Sequence, residues 1–293
     1  MSVAALAKQE DSATRQRRQA TRERILVLLR TPTAVAGALV LLVWIACALF
    51  ASHIAPHDPI LPDILHKLQP PSPEHRFGTD GLGRDVLSRV IYGAHDILVV
   101  APLATLLGTA AGTTIGLIAG YFRGLVEEVL MRIIDAFLAL PTLVIALLVL
   151  VAVGQSTRAV IFVIGLAFTP IIARTVRAAV LSEAQLDYVQ AARLRREGPL
   201  YVMFVEILPN VLGPVLVEFT VRLGYAIFAI ATLSFLGFGI PPPSPDWGLS
   251  ISEEYPYLLG NIWWPVLFPA LAIASLVVSV NLVADGLSQA LER

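Results

Sequence analysis

The chain has 293 residues, of which 56% are hydrophobic and 15% are charged, and its mean hydropathy is +0.75. Because soluble proteins carry about 25% charged residues, this composition excludes an ordinary water-soluble domain and makes lipid the expected solvent. The net charge of −1 gives no reason to expect a nucleic-acid partner. The single cysteine, Cys47, lies in an apolar run and excludes an intrachain disulfide.

The first 31 residues form a polar leader. Between Gln9 and Arg24 almost every residue is polar, which is typical of a disordered or surface-lying segment. Positive charge concentrates on the cytoplasmic side of membrane proteins, so we expect the leader 1–31 to be cytoplasmic. Its basic residues are Lys8, Arg15, Arg17, Arg18, Arg22, Arg24 and Arg30.

Six apolar segments are long enough to cross a bilayer about 30 Å thick, which takes about 20 helical residues. Helices are expected because lipid offers the backbone no hydrogen-bond partner. The sequence therefore predicts an all-α integral membrane protein with a membrane domain at residues 32–293. The predicted spans are 33–52, 98–121, 133–153, 159–178, 208–238 and 264–284.

The distribution of Lys and Arg predicts the direction of these spans. The loop 239–263 contains neither residue, whereas the loop 179–206 holds Arg193, Arg195 and Arg196. Six crossings that start inside leave 179–206 in the cytoplasm and the segment 53–96 outside. The chain is thus predicted to be a multi-pass protein of the bacterial plasma membrane, with both termini in the cytoplasm and the lipid bilayer around its spans.

The outer segment 53–96 ends in an amphipathic stretch, 84–96, which predicts a short helix at the outer interface. Pro56 and two later prolines prevent a helical pairing of His53 with His57, and the other histidine spacings are irregular. We therefore expect ordinary exposed histidines and no metal site. All five histidines lie in this segment: His53, His57, His66, His75 and His95.

The second predicted span carries a glycine at every fourth position. On a helix these residues form one smooth ridge, along which another helix can approach closely. Packing is favoured over a ligand role, and the span is expected inside a bundle or at a subunit interface. The glycine ridge consists of Gly108, Gly112, Gly116 and Gly120.

The cytoplasmic loop 179–206 is too polar to span the membrane but is rich in helix-forming residues. The stretch from Leu186 to Leu194 predicts a helix that ends before Gly198-Pro199. A loop of this length between two spans is usually functional.

The fifth predicted span carries Glu218 and Arg222, which lie four residues apart and so share one helical face. A charge at the bilayer centre costs about 2.5–3.5 kcal/mol, so such residues usually face a partner or a wet cavity. Two interpretations stay open: a mutually neutralised pair inside the bundle, or a pair that lines the substrate path. The acid and base together would suit a zwitterion such as a peptide or an amino acid.

Two stretches of the cytoplasmic region resemble the signature of ABC importer permeases: 187–192, with the sequence Asp-Tyr-Val-Gln-Ala-Ala, and 207–210, with the sequence Ile-Leu-Pro-Asn. In that family the signature is Glu-Ala-Ala, three residues, Gly, and later a hydrophobic residue with Leu-Pro. It forms a coupling helix that docks into a cleft of the ATPase subunit. The resemblance implies that the coupling helix lies at 187–197. The implied ATPase-coupling residues are Asp187, Tyr188, Val189, Gln190, Ala191, Ala192, Arg193, Arg196 and Gly198.

Five further stretches resemble the dipeptide, oligopeptide and nickel permeases: 77–80, 83–89, 135–141, 233–239 and 245–248. Together with the cytoplasmic signature they cover the chain from about residue 32 to its end, in the expected order. The closest likeness is to the second, C-type permease of a dipeptide system. It implies a type I ABC importer bundle of six transmembrane helices.

The chain departs from the family signature at two positions. Gln190 stands where the family has Glu, and Arg196 stands where it has Gly. Gln keeps the shape of Glu but loses its charge. Since that glycine normally permits the turn after the docking helix, we expect Gly198-Pro199 to supply the turn instead.

The chain contains no G-x-x-x-x-G-K-[ST] phosphate loop, so energy must come from another protein. The resemblance implies a permease subunit, not an enzyme, of an ATP-driven importer of di- and oligopeptides. It implies no cofactor on this chain, with ATP and Mg²⁺ in partner subunits. The implied partners are a second permease subunit in a heterodimer, two ATPase domains or subunits, and an external solute-binding protein.

Three alternatives remain at this point. The transported solute could be nickel or another small molecule. An autonomous secondary transporter is disfavoured by the docking-like loop and by the absence of inverted repeats in the sequence. A membrane-embedded enzyme is disfavoured because no predicted span contains a histidine or paired aspartates.

Overall fold

A computed structural model describes residues 31–291, which are almost entirely helical. The predicted leader 1–31 lies outside the described residues except for Thr31. Five helices (α1, α2, α5, α7 and α9) are each long and apolar enough to cross a membrane, and α3 with α4 forms a bent pair that brings the number of spans to six. The described helices are α1 Pro32–Ile54, α2 Val86–Phe122, α3 Gly124–Leu138, α4 Thr142–Val153, α5 Thr157–Glu183, α6 Asp187–Leu194, α7 Pro199–Phe235, α8 Trp247–Glu254 and α9 Trp264–Leu291.

The centre of the bundle is the contact between α2 and α5, which runs along the glycine ridge. A Cβ atom added to Gly108 would lie 2.6 Å from the carbonyl oxygen of Gly165, and one added to Gly116 would lie 2.8 Å from that of Ala173. Only hydrogen side chains allow two helix backbones to approach this closely. All four ridge glycines are buried, so this face of α2 is turned away from lipid.

The third predicted span, 133–153, is not one continuous helix. Residues 124–153 instead form α3 and α4, which are inclined at 87° to each other. Pro141 lacks an N–H group and disfavours a helical conformation at the residue before it, so the helix breaks there. With 12 residues, α4 is only about 18 Å long and cannot cross a bilayer by itself.

The prediction of a separate interfacial helix at 84–96 is wrong. The second span begins at Val86 and continues without a break to Phe122, a length of 37 residues. The carboxylate of Asp85 caps this helix by accepting the backbone N–H of Ser88 at 2.8 Å. The polar face of the stretch is not exposed either, because the loops and α8 fold over Arg89 and leave it 3% exposed.

The fifth span begins earlier than predicted, since α7 starts at Pro199. Its first turns include a π-helical segment at Val202–Ile207, which ends two residues before Pro209. A proline ring clashes with the carbonyl group four residues earlier, here that of Val205, and a wider turn relieves this clash. The loop predicted to be cytoplasmic is therefore shorter than expected, and α6 is held between two long helices.

Candidate functional site

The predicted coupling helix is α6, which lies between the ends of α5 and α7. Val189 and Ala192 are fully buried against the bundle. The opposite face is exposed, and its most prominent residue is Leu194, with 85% of its surface accessible. This exposed face consists of Asp187, Gln190, Ala191 and Leu194, which share one side of the helix at positions i, i+3, i+4 and i+7.

Tyr188 ties α6 to both neighbouring helices. Its hydroxyl donates a 2.6 Å hydrogen bond to Glu183 of α5 and accepts a 3.0 Å bond from the amide of Asn210 in α7. Burial and the bond to the Glu183 carboxylate raise the pKa of Tyr188 to about 12, so the hydroxyl keeps its proton. A force applied to α6 therefore reaches α5 and α7 through short, defined contacts.

Arg193 adds a link between α6 and the end of α2. Its guanidinium carbon lies 4.7 Å from the centroid of the Tyr121 ring, which is a cation–π distance. The neighbour of Tyr121 in the sequence is Gly120, the last residue of the glycine ridge. The loop that holds α6 thus contacts the central helix pair directly.

Gln190 makes a contact that the glutamate of the family signature could not make. Its side-chain amide donates a 2.9 Å hydrogen bond to the backbone carbonyl of Ala184. A glutamate carboxylate only accepts hydrogen bonds when ionised. In this chain Gln190 therefore binds the end of α5 to α6, and the loss of the negative charge is accompanied by a hydrogen bond within the loop.

The turn after α6 is made by Arg196 and not by Gly198-Pro199, so the sequence-based expectation for this turn is wrong. Arg196 has a φ of +58°, whereas Gly198 has a φ of −64°. The backbone N–H of Glu197 bonds to the carbonyl of Ala192, and that of Arg196 bonds to the carbonyl of Arg193. These two bonds form the Schellman motif, which favours glycine at the position that Arg196 occupies.

Glu218 and Arg222 form an ion pair within α7. The Nε atom of Arg222 lies 2.9 Å from Glu218 Oε2, and the two side chains are 16% and 15% exposed. Glu218 Oε1 also accepts a 3.0 Å hydrogen bond from Thr175 of α5. On its other side the Arg222 guanidinium lies 5.2 Å from the centroid of the Tyr225 ring. The pair is therefore held in place but still reaches solvent.

Two open cavities follow one another along α7 on the side that carries this pair. The first has a volume of about 820 Å³ and is lined by Thr175, Glu218 and Ser288, together with residues 209, 210, 212–214, 216 and 217. The second has a volume of about 430 Å³ and is lined by Tyr225 and Phe228 of α7 and by polar residues of α9, among them Asn281 and Asp285. Polar groups therefore line a groove between α7 and α9, inside segments that are otherwise apolar.

The outer motifs that were recognised only by resemblance come together in one cap over the bundle. Arg84 donates a 2.8 Å bond to Glu253, and the backbone N–H of Gly81 donates a 2.9 Å bond to Glu254. The indole of Trp247 donates a 3.0 Å bond to the carbonyl of Val90. The segment before α2 is thus fastened to α8, far away in the sequence.

Two carboxyl groups in this cap are weaker acids than usual, because their pKa values are raised. Burial, together with the charge of Asp80, raises the pKa of Glu254 to about 7. Burial raises the pKa of Asp246 to about 6, although its carboxylate caps α8 by accepting the N–H of Leu249. Both groups lie in the loop predicted to be outside, and the charge of the cap changes between about pH 6 and 7.

The histidines are not uniformly exposed, contrary to the expectation from the sequence. His75 is buried, and its Nδ1 atom lies 2.9 Å from Oδ1 of the equally buried Asp85. His57 Nδ1 lies 3.8 Å from the same carboxylate oxygen. The spacing rules for helical histidine pairs could not find this cluster, because its three members come from separate stretches of the outer segment.

Comparison with known proteins gives the family. Residues 112–293 match the family described as binding-protein-dependent transport system inner membrane component, and residues 21–71 match the N-terminal TM domain of oligopeptide transport permease C. The chain belongs to the family of binding-protein-dependent transport system inner membrane components. The permease is 38% identical over 265 residues to the di/tripeptide transport system permease protein DppC of Pseudomonas aeruginosa, which covers 88% of this chain and 87% of that protein. It is 36% identical over 265 residues to the glutathione transport system permease protein GsiD of Pectobacterium atrosepticum, with 90% and 88% covered.

A solved structure shows the same fold. A chain of the inward-facing MetNI methionine ABC transporter superposes on the permease with a TM-score of 0.55 and 19% sequence identity, covering 70% of the permease and 97% of that chain. The likeness confirms the prediction of a type I importer bundle. The permease is thus a multi-pass membrane subunit of an ABC importer, a class of transporter that works with a second permease, ATPases and a binding protein.

Proposed function

We propose that the permease translocates di- and oligopeptides across the bacterial plasma membrane as one half of a heterodimeric channel. An external binding protein delivers the peptide, and two ATPase domains or subunits that bind ATP and Mg²⁺ drive the cycle. In this arrangement both termini and the loop 179–206 are cytoplasmic, and the segment 53–96 is outside. The names of the related permeases, which include di/tripeptide and glutathione systems, support a small peptide as the solute.

The observation that carries the proposal is the ion pair of Glu218 and Arg222 beside the open cavity. A dipeptide has an ammonium group and a carboxylate group, and the pair offers one charge of the opposite sign for each. Among the described residues, Arg222 uses only Nε in a hydrogen bond, so its Nη atoms have donors left for a carboxylate. Between substrates the pair neutralises itself, which avoids an unpaired charge inside the membrane.

The energy input is proposed to enter through the exposed face of α6. An exposed leucine at position 194, beside the small side chain of Ala191, suits close docking into a cleft of a partner protein. Movement of α6 would pull on α5 and α7 through Tyr188 and on α2 through Arg193. Because α7 also carries Glu218 and Arg222, the same helix joins the site of energy input to the proposed path.

The substrate path is tested by peptide uptake into proteoliposomes that contain the complete transporter. The double variant Glu218→Ala/Arg222→Ala should reduce uptake of a labelled dipeptide at least about tenfold, which corresponds to about 1.4 kcal/mol. The matched control is Glu128→Ala/Arg132→Ala, which removes another i, i+4 ion pair, one that is exposed on α3. Uptake by the control should stay within about twofold, because exposed pairs contribute little to stability.

The exchanged variant Glu218→Arg/Arg222→Glu separates a path role from a purely structural one. It preserves an i, i+4 ion pair but reverses the positions of the two charges, so a structural pair would be retained and a substrate contact would be misplaced. We expect the variant to insert normally and to transport poorly. Unchanged uptake in the double alanine variant, or full uptake in the exchanged variant, would remove Glu218 and Arg222 from the path.

Coupling is tested by crosslinking, for which the chain is well suited because Cys47 is its only cysteine. In a Cys47→Ser background, Leu194→Cys should crosslink to the ATPase subunit, and ATP should change the yield. Val153→Cys is the control, since it is similarly exposed but lies at the opposite end of the bundle. An assembled complex that crosslinks equally at both positions, or at neither, would contradict the assignment of α6.

A further inference from the structure

His57, His75 and Asp85 form a compact cluster on the outer side of the protein. A nitrogen of each ring and a carboxylate oxygen all lie within 4.8 Å of one another. The ring centroids of His57 and His75 are 4.7 Å apart, and both Nδ1 atoms point towards Asp85 Oδ1, at 3.8 Å and 2.9 Å. All three groups therefore border one small volume next to Asp85 Oδ1.

The three side chains are held in these positions by the surrounding backbone. His75 closes a turn in which its N–H bonds to the Ser72 hydroxyl and its carbonyl accepts the N–H groups of Ser72 and Gly78. The backbone N–H of His57 bonds to the hydroxyl of Ser88 at 3.0 Å. Ser88 also donates to Asp85 Oδ2, at 2.7 Å, which leaves Oδ1 directed at the two rings. The donors that orient the ligands are therefore already in place, as in metal sites with a formed outer shell.

The charge of the cluster favours a cation. Asp85 is 2% exposed, and within residues 31–291 no Lys or Arg side chain forms an ion pair with it. A buried carboxylate needs a cationic partner or a full set of hydrogen bonds. Two protonated imidazoles at this separation would repel each other, whereas one metal ion would attract both neutral rings and the carboxylate at once.

The ligand types indicate which cation fits. Imidazole nitrogen with one carboxylate suits Zn²⁺ and its neighbours Ni²⁺ and Cu²⁺, whereas Ca²⁺ and Mg²⁺ prefer oxygen ligands throughout. His57 is 39% exposed, so an ion can reach the cluster from outside, and water can complete its coordination. We propose that His57, His75 and Asp85 form a binding site for a transition-metal dication of the Zn²⁺ type on the outer face of the permease.

A bound ion would fasten three parts of the outer segment to one another. His57 follows the first span, His75 lies in the middle of the segment, and Asp85 caps the helix that carries the glycine ridge. The ion would thus secure the cap at the point where the second span begins. This role is independent of which solute the transporter carries.

Zinc binding to the full-length permease in lipid nanodiscs tests the proposal. After treatment with a chelator, ZnCl₂ is titrated and followed by calorimetry, and X-ray absorption reports the ligands of the bound ion. We expect one Zn²⁺ per chain, with nitrogen and oxygen ligands at about 2.0–2.2 Å and a gain in thermal stability. Loss of an outer-shell partner alone weakens metal sites about 10–100-fold, so His57→Ala should weaken binding at least as much.

His53→Ala is the matched control, because His53 is also an outer histidine, lies four residues earlier and bonds to the hydroxyl of Ser52. It should bind Zn²⁺ as the unchanged permease does. His57→Ala is preferred to a change at Asp85, since the buried Asp85 caps α2 and its loss would disturb folding. The proposal fails if the permease binds no Zn²⁺, if His57→Ala binds it equally well, or if His53→Ala loses it.

Discussion

One methyl group on the glycine ridge should separate the two central helices. In Gly116→Ala the new Cβ atom would lie 2.8 Å from the carbonyl oxygen of Ala173, 2.8 Å from the Cβ atom of Val176 and 2.9 Å from the backbone nitrogen of Arg177. None of these atoms can be moved by a side-chain rotation, since they belong to the backbone or are attached directly to it. The helix α5 would have to retreat along its length.

The magnitude follows from two opposing contributions. Over-packing of a well-packed contact costs about 1–3 kcal/mol, and the upper half of this range applies where backbone atoms must move. Alanine is favoured over glycine in a helix by about 1 kcal/mol. We therefore expect Gly116→Ala to destabilise the permease by about 1–2 kcal/mol. A larger change on the exposed face of the same helix, Ala110→Leu, should cost less than about 0.5 kcal/mol, because Ala110 faces outwards and Leu is a good helix former that lipid accepts.

The assay is the unfolding of purified permease in mixed micelles by increasing amounts of SDS, followed by circular dichroism. Gly116→Ala should unfold at a lower SDS fraction than both the unchanged protein and Ala110→Leu, although the latter adds three carbon atoms. If Gly116→Ala were as stable as the unchanged protein, or if Ala110→Leu were the less stable variant, the close backbone contact between α2 and α5 would not stabilise the fold as described.

Three further changes test the cap and the coupling loop. Glu254→Gln should reduce the pH dependence of stability between about 4.5 and 7 without abolishing it, because Gln can still accept the N–H of Gly81 but does not ionise, while Asp246 still titrates in this range. In the unchanged permease the folded-state pKa of Glu254, about 7, lies above the ordinary 4.5, so the folded state holds this proton more tightly than the unfolded state does. The contribution of Glu254 to stability therefore falls by about 1–3 kcal/mol as pH rises through that window. Thermal unfolding at several pH values measures this change, and an equal dependence of stability on pH in the variant and the unchanged permease would contradict it. Arg196→Gly should stabilise the loop by about 1 kcal/mol, since a left-handed φ of +58° is strained for Arg and not for Gly. Slower amide hydrogen exchange in the residues after α6 would report this stabilisation, whereas faster exchange would show that Arg196 is not strained. Tyr188→Phe removes the bond to the carboxylate of Glu183, which is worth about 1.5–3 kcal/mol, and should lower the peptide taken up per ATP hydrolysed, while an unchanged ratio would exclude Tyr188 from coupling.

The sequence alone determined the features that depend on local composition. Apolar runs of about 20 residues predicted the membrane segments, because the cost of placing a helix in lipid is a sum over its own side chains. The four-residue glycine period predicted a close helix contact in the same way, since it requires only that the segment be helical. The docking motif also predicted a short helix, and the described helix runs over Asp187–Leu194.

Only the tertiary structure decided features that depend on contacts between distant residues. Pro141 made a break in the third span foreseeable, but the 87° angle depends on how α3 packs against α5, with Glu127 bonded to Arg177. The left-handed turn at Arg196 was hidden because propensity favours Gly198, and the backbone bonds of the loop overrode it. The cluster of His57, His75 and Asp85 was hidden because no spacing in the sequence encodes the folding of the outer segment onto the start of α2. Hydropathy adds up contributions from residues that are neighbours along the chain, so the sequence shows it directly. A site consists of residues that are close in space but distant in the sequence, and the free energy of packing decides which residues come into contact.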